Sequence, residues 1–401
     1  MKTNINEKAF ELGNKRSTIR EIFEYSKKRS AEIGKEKVFD FSIGNPSVAP
    51  PIEVQEAIAW LNSGENQTSL HGYTSAQGDG FTRQQIADNL NLTSKAKLTA
   101  NNIYLTCGAA ASLCISLKCV IASPNDEVIV IAPYFPEYRV FIDNMGGRMV
   151  EVQSEKDTFK IDYTALEKAI NKNTKAVIIN SPNNPSGVKY SEKELKKLGV
   201  LLKEKSVEFD CPIYLISDEP YREIVYDGEK TPNTFNFYNN VLMCYSYSKA
   251  LSLAGERIGY VAVSPKMLDA EKVYLAICGS ARSLGYVCAP SMFQQVISLV
   301  GNKTVDVSVY QKNRDTLVTA LTKFGYTVVK PQGAFYLFVK AVGKSAAEFC
   351  SKAKEFELLL VPSDDFGVGG YVRLAYCKTE KEIENSLPAF EAFAKSLDLY
   401  K

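Results

Sequence analysis

From residue 102 to residue 217 short Val/Ile-rich runs alternate with stretches of helical periodicity, and few folds accommodate that pattern. Runs 103–106, 127–132, 148–152, 176–180 and 213–217 read as strands, and 109–121, 137–144, 163–170 and 192–204 as helices. Strands that are largely apolar, instead of alternating apolar and polar, are buried on both faces. Helices between them supply the cover, so the pattern predicts a mostly parallel sheet in an α/β unit. Two more apolar runs, 241–245 and 258–263, extend it. The tail changes character: helices at 291–300, 309–324, 345–355 and 380–396 accompany strands at 335–339, 358–361 and 372–375. That is a smaller α+β unit. Residues 7–32 read as an amphipathic helix with Arg16, Arg20, Lys27 and Lys28 on its polar side, followed by an extended arm over 38–43. The arm ends in the turn signal Gly44-Asn45-Pro46. The expected organisation is a large α/β domain over 45–289, its sheet covered by helices. A small domain is built from 1–44 plus 290–401.

In open α/β sheets ligands bind beyond the carboxyl ends of the strands. Five such ends carry a signal. Ser246-Tyr247-Ser248-Lys249 lies between two apolar runs, with Arg257 following. A lysine at a buried strand end is costly unless neutralised or used covalently, and imine formation with a carbonyl is one such use. Two hydroxyls and an arginine suit a phosphate beside that amine. Together these are the needs of pyridoxal phosphate, although a solvated lysine in a polar turn fits the stretch alone equally well. Cys107-Gly108-Ala109-Ala110-Ala111-Ser112 is a small-residue turn into a helix, fit for a phosphate or for close packing. Phe135, in Pro133-Tyr134-Phe135-Pro136, could stack on a flat ring or pack in the core. Ser181-Pro182-Asn183-Asn184-Pro185-Ser186-Gly187 is a polar Pro/Asn loop that fixes an amide in place or simply turns. Asp218-Glu219-Pro220-Tyr221 puts a carboxylate where burial is expensive without a partner. A pyridinium nitrogen would be that partner. Turns and packing explain each signal singly but not five at one sheet edge.

Composition closes off other classes. The chain has 401 residues and 48 basic against 46 acidic side chains, a formal net charge of +2. Neither nucleic acid nor an anionic membrane is expected as a partner. The N-terminal residues lack an apolar signal core, and no apolar run approaches a membrane span. Nine cysteines without Cys-x-x-Cys pairs read as reduced thiols in a reducing compartment, the cytoplasm, and not as a disulfide frame or metal site. The single histidine, His71, leaves no room for a multi-histidine metal site or a serine–histidine triad.

These residues resemble the fold-type I pyridoxal-phosphate enzymes, and within them the class I/II aminotransferases of the aspartate-aminotransferase group. Asn180 to Gly187, Ser217 to Tyr221, Ser246 to Lys249 with Arg257, Pro331-Gln332-Gly333-Ala334-Phe335-Tyr336 and Tyr371-Val372-Arg373-Leu374 carry the resemblance, which runs over essentially the whole chain. It implies pyridoxal 5'-phosphate as cofactor, held as an imine by Lys249, which also moves protons. Asp218 would pair with the pyridine nitrogen. Tyr221 and Asn184 would bond the ring's phenolate oxygen, lowering the imine pKa, and Phe135 would stack on the ring. Ala109, Ala110, Ser246, Ser248 and Arg257 would hold the phosphate. Arg373, with Asn184 and Gly44, would receive the substrate, Arg373 taking its α-carboxylate. Tyr73 resembles a tyrosine that reaches the phosphate of a neighbouring subunit, which implies a homodimer with shared sites. The phosphate turn departs from many relatives in lacking a Ser or Thr hydroxyl. Arg282 lies near the region where dicarboxylate-specific members supply a second arginine.

The implied activity is amino-group transfer between an L-amino acid and a 2-oxo acid. Two other activities use the same fold. A β-eliminating, cystathionine-lyase-like enzyme would need the same lysine. A ligand-sensing domain of a transcription regulator would need a DNA-binding unit ahead of the fold, and only about forty residues precede Gly44.

Overall fold

A computed structural model describes residues 4–14, 17–65 and 67–399. Its strands are β1 (Phe39–Asp40), β2 (Ile103–Thr106), β3 (Glu127–Ala132), β4 (Arg148–Gln153), β5 (Thr174–Asn180), β6 (Tyr214–Asp218), β7 (Val241–Ser246), β8 (Gly259–Val263), β9 (Val328–Val329), β10 (Tyr336–Lys340), β11 (Leu358–Leu359), β12 (Val361–Pro362) and β13 (Tyr371–Ala375). Seven of them form one sheet in the order β2-β8-β7-β6-β5-β3-β4. Only β8 runs antiparallel to its neighbours. The parallel strands therefore all end on one edge.

The apolar runs divide by residue parity, as a pleat requires. Ile129, Val177, Leu215 and Met243 face one core, with the helices Ile52–Ser63, Gly80–Asn91 and Glu192–Glu208. Val128, Ile178, Ile216, Leu242 and Cys244 face the other, with Ala109–Val120 and Ala270–Leu284. Both faces of the central strands are covered, so these carry no polar side, while the edge strand β4 exposes Arg148, Glu151 and Gln153. Helix starts follow local chemistry: Ser191 and Glu194 close a capping box on Glu192–Glu208, and Asp79 caps Gly80–Asn91 through the Thr82 amide.

A second sheet, β12-β13-β10-β9, has its own core around Phe335, Leu337, Val372, Leu374 and Phe393. The N-terminal arm joins this unit, because β1 pairs in parallel with β11 and Phe41 packs in its core. A seam of Phe159 and Val188 from the large unit against Phe338, Val361, Phe366 and Tyr371 ties the two together. Phe338 and Tyr371 stack there with centroids 5.3 Å apart.

Three expectations need correction. The 7–32 helix is two, Glu7–Asn14 and Thr18–Ile33, and Arg16 lies outside the described residues. The 358–361 strand serves two sheets, since Leu358–Leu359 pairs with β1 and Val361–Pro362 with β13. Helix Ser291–Val300, expected in the small domain, buries Phe293, Val296, Ile297 and Val300 in the core of the large one. It packs on Ile52–Ser63 and Gly80–Asn91, so the chain leaves the large unit after Val300, beyond the 289/290 boundary. The apolar helical face is the same for either side; only the partner differs.

Candidate active site

Asp218 is the last residue of β6, between β5 and β7, so its carboxyl emerges at the middle of the strand-end edge. It is 4 % exposed. Tyr138 donates to its Oδ2 at 2.5 Å, and Asn180 Nδ2, at the end of β5, lies 3.4 Å from the same atom. Oδ1 is buried and makes no hydrogen bond. Burial pushes the carboxyl up to about 7, against the pull of the Tyr138 hydroxyl and with a push from Glu219. An acceptor atom left bare in this setting is costly unless a donor arrives.

Lys249 follows β7 on the short helix Tyr247–Ala250. Its Nζ donates to the Gly44 carbonyl at 2.8 Å. Burial lowers its pKa to about 8, the Cys377 thiol opposes this, and the positive charges of Arg257 and Arg373 add to it. An amine at that value is partly neutral near pH 7 and is nucleophilic.

A third cluster sits at the same edge. Ser246 and Ser248 hydroxyls are 2.7 Å apart, and Arg257 Nη1 donates to Ser248 Oγ at 3.3 Å. Arg257 Nη2 donates to the Cys107 carbonyl at 3.1 Å, which brings the guanidinium to the start of helix Ala109–Val120. Gly108 makes this approach possible: it holds φ +87°, and a Cβ there would stand 2.7 Å from Arg257 Nη2. The free amides of Ala109 and Ala110, two hydroxyls and a guanidinium thus converge as an anion cradle.

Arg373, on β13, is 3 % exposed. It donates to Asn184 Oδ1 at 3.1 Å and to the Ser42 carbonyl, while its Nε has no partner. No carboxylate pairs with it among the described residues, and burial lowers its pKa. Asn184 is itself placed by its backbone N–H donating to Asn180 Oδ1 at 2.7 Å, which links the Arg373 and Asp218 ends. Tyr221 meets Tyr336 hydroxyl to hydroxyl at 2.9 Å. Phe135 lies edge-on to Tyr138, centroids 5.7 Å apart.

The structure therefore brings together Lys249, Gly44, Arg373 and Asn184, and on the same strand-end edge Asp218, Ser246, Ser248, Arg257 and the Ala109–Ala110 turn. Tyr73 stands apart, its side chain fully exposed, and Arg282 is exposed on helix Ala270–Leu284. Three contributors were not expected: Tyr138, Asn180 as a ligand of Asp218, and Tyr336. Tyr138 stands on the first turn of helix Glu137–Asn144, three residues after Phe135, and the two rings meet edge-on. The residues fit pyridoxal phosphate. A bare buried carboxylate oxygen awaits a ring N–H, an amine of lowered pKa stands by, and a cradle of donors suits a phosphate.

The profile of the aminotransferase class I and II family matches residues 36–390. An aspartate aminotransferase of Thermotoga maritima is 30% identical over 94% of this chain and 97% of its own. A probable N-acetyl-LL-diaminopimelate aminotransferase of Bacillus subtilis is 31% identical over 89% of each. Among solved structures, an aminotransferase of Eubacterium rectale superposes with a TM-score of 0.97 at 52% identity, covering 99% of this chain and 100% of that one. Fold and relatives thus define a transferase of amino groups. The chain belongs to the class I and II aminotransferase family.

Proposed function

We propose that this chain moves an amino group between an L-amino acid and a 2-oxo acid, using pyridoxal phosphate held by Lys249. The observation that carries this reading is the bare, buried Asp218 Oδ1 on the same sheet edge as Lys249 and the Arg257 cradle. When bound, the cofactor supplies a protonated pyridine ring that withdraws electrons from the substrate Cα. The chain's own residues do the rest. Asp218 keeps the ring nitrogen protonated, with Tyr138 and Asn180 holding its other oxygen. Arg373 takes the substrate α-carboxylate through its planar fork, with Asn184 holding Nη1 in place. Tyr221 would donate to the ring oxygen. Lys249 Nζ, freed when the substrate amine takes its place, would take the Cα proton and return it one atom away, a transfer suited to an amine near neutrality. Burial of Asp218 and Arg373, with Lys249 half-buried, limits water and strengthens each charge interaction.

The working unit in this reading is a homodimer in the cytoplasm. Tyr73 is fully exposed, and Cys288, which follows the exposed Tyr286 and Val287, donates to the Thr74 carbonyl. A partner subunit covering this surface would receive Tyr73 at its phosphate cradle. The division of labour follows the two units: the large sheet edge binds the cofactor, and the N-terminal arm and small sheet close over the substrate. No helix among the described residues is long and apolar enough to cross a membrane. Named relatives act on aspartate, prephenate or N-acetyl-LL-diaminopimelate, so acidic donors head the panel to be tested. A panel of L-amino acids with 2-oxoglutarate, read by glutamate formation, should yield glutamate with at least one donor. Release of ammonia and pyruvate without an acceptor would overturn the reading in favour of β-elimination.

A further inference from the structure

Tyr336 is 3 % exposed and touches three parts of the site at once. Its hydroxyl lies 2.9 Å from that of Tyr221. The Arg373 guanidinium carbon lies 4.8 Å from the centroid of its ring. Its hydroxyl also fills the space a side chain at Gly44 would need, and the Gly44 carbonyl accepts from Lys249 Nζ. The sheet register explains this. Tyr336 opposes Ala375 and Phe338 opposes Arg373 across β10 and β13, so Tyr336 and Arg373 are diagonal neighbours on one face.

We infer that Tyr336 is a positioning residue that ties the carboxylate anchor Arg373 to the ring-oxygen donor Tyr221. This rests on the functional reading above and deepens it. A tyrosine hydroxyl has one proton to donate. With the Tyr221 proton on the ring oxygen, Tyr221 can only accept from Tyr336, and the chain runs Tyr336 to Tyr221 to ring. A donor that itself accepts a hydrogen bond is polarised and donates more strongly. Tyr336 thereby lowers the charge left on the ring oxygen and weakens the hold of that oxygen on the proton of the neighbouring Lys249–cofactor link. The ring does different work. Its π-face, with Phe366 at 5.1 Å from the same guanidinium carbon, braces Arg373 where no carboxylate of the described chain balances its charge. Hydroxyl and ring are therefore separable.

The test is a pH titration of the visible absorbance of the cofactor-loaded protein, with KM for the amino donor found active. Tyr336→Phe should raise the titration midpoint by on the order of half a pH unit and leave KM within about twofold, because the ring remains. Tyr336→Leu should raise KM roughly five- to tenfold in addition. In a Tyr221→Phe background the same removal of the Tyr336 hydroxyl should shift the midpoint no further, since the relay is already cut. An unmoved midpoint in Tyr336→Phe, or an equal shift in the Tyr221→Phe background, would overturn the inference alone. A wild-type protein with no visible band would overturn the functional reading first.

Discussion

The large-sheet edge and the small sheet each bury an ionisable group without an opposite charge, and they do so differently. Asp218 ends a central strand flanked on both sides by long, largely buried strands, so its position is fixed by the sheet. One of its oxygens is satisfied and the other is bare. Arg373 sits inside β13 of the smaller unit, and its two outer nitrogens rest on neutral acceptors from elsewhere: Asn184 of the large unit and Ser42 of the N-terminal arm. One end is preformed by a single rigid element, and the other is assembled from three segments. The lesson is that cofactor and substrate sites can share burial as a driving force while differing in what holds them. Damage at Asp218 should therefore appear in cofactor chemistry, and damage at Arg373 in substrate selection.

The largest separation is expected from Asp218→Asn. The amide is near-isosteric and keeps the fold, but it cannot pair with a ring N–H⁺. Turnover should fall roughly 10²- to 10³-fold, the scale of an uncompensated buried charge. Wild-type turnover would give Asp218 a structural role. Next, Arg373→Lys keeps the charge and loses the fork. kcat/KM for α-amino acids should drop on the order of 10²-fold while an amine lacking the carboxylate is nearly indifferent. Lost melting temperature with unaltered substrate preference would contradict the assignment. Tyr138→Phe sharpens the Asp218 end: removing one charge-assisted bond should weaken cofactor retention about tenfold, measured by dialysis and absorbance.

The smallest effect is one of pH, in the cofactor-free protein. Burial holds Asp218 at about 7, against about 3.9 for a free carboxyl. A raised carboxyl stabilises the fold fully below its unfolded value, and that stability is lost as pH rises through about 7. Lys249 is shifted the other way. Held at about 8, it contributes above its free value and loses that contribution as pH falls through about 8. Between pH 5 and 8 Asp218 governs. The cofactor-free protein should melt a few degrees lower at pH 8 than at pH 5, on the scale of about 2–4 °C per kcal/mol, and Asp218→Asn should flatten the slope.

The difference between the two regions also decided what the sequence disclosed. Asp218, Lys249, Ser246 and the Gly108 turn each follow an apolar run directly, so strand period and the edge rule together locate them. Tyr336 could be read only as part of a family-like stretch, because its meaning depends on which residue of β13 lies diagonal to it, and pairing register is not written in either strand alone. Asn180 closes β5 and faces Asp218 only through parallel pairing with β6. Helix Ser291–Val300 packs in the large unit, where its own sequence does not place it, for the same reason. Its apolar face is plain, but the core that receives it is set by contacts far away in the chain. What is local in sequence was legible, and what depends on long-range pairing was not.

Lys249 is proposed to carry the cofactor. The purified, yellow protein should be reduced with labelled borohydride, digested and mapped. A single labelled peptide is expected, with the label on Lys249. Label on any other lysine, or none, would contradict it.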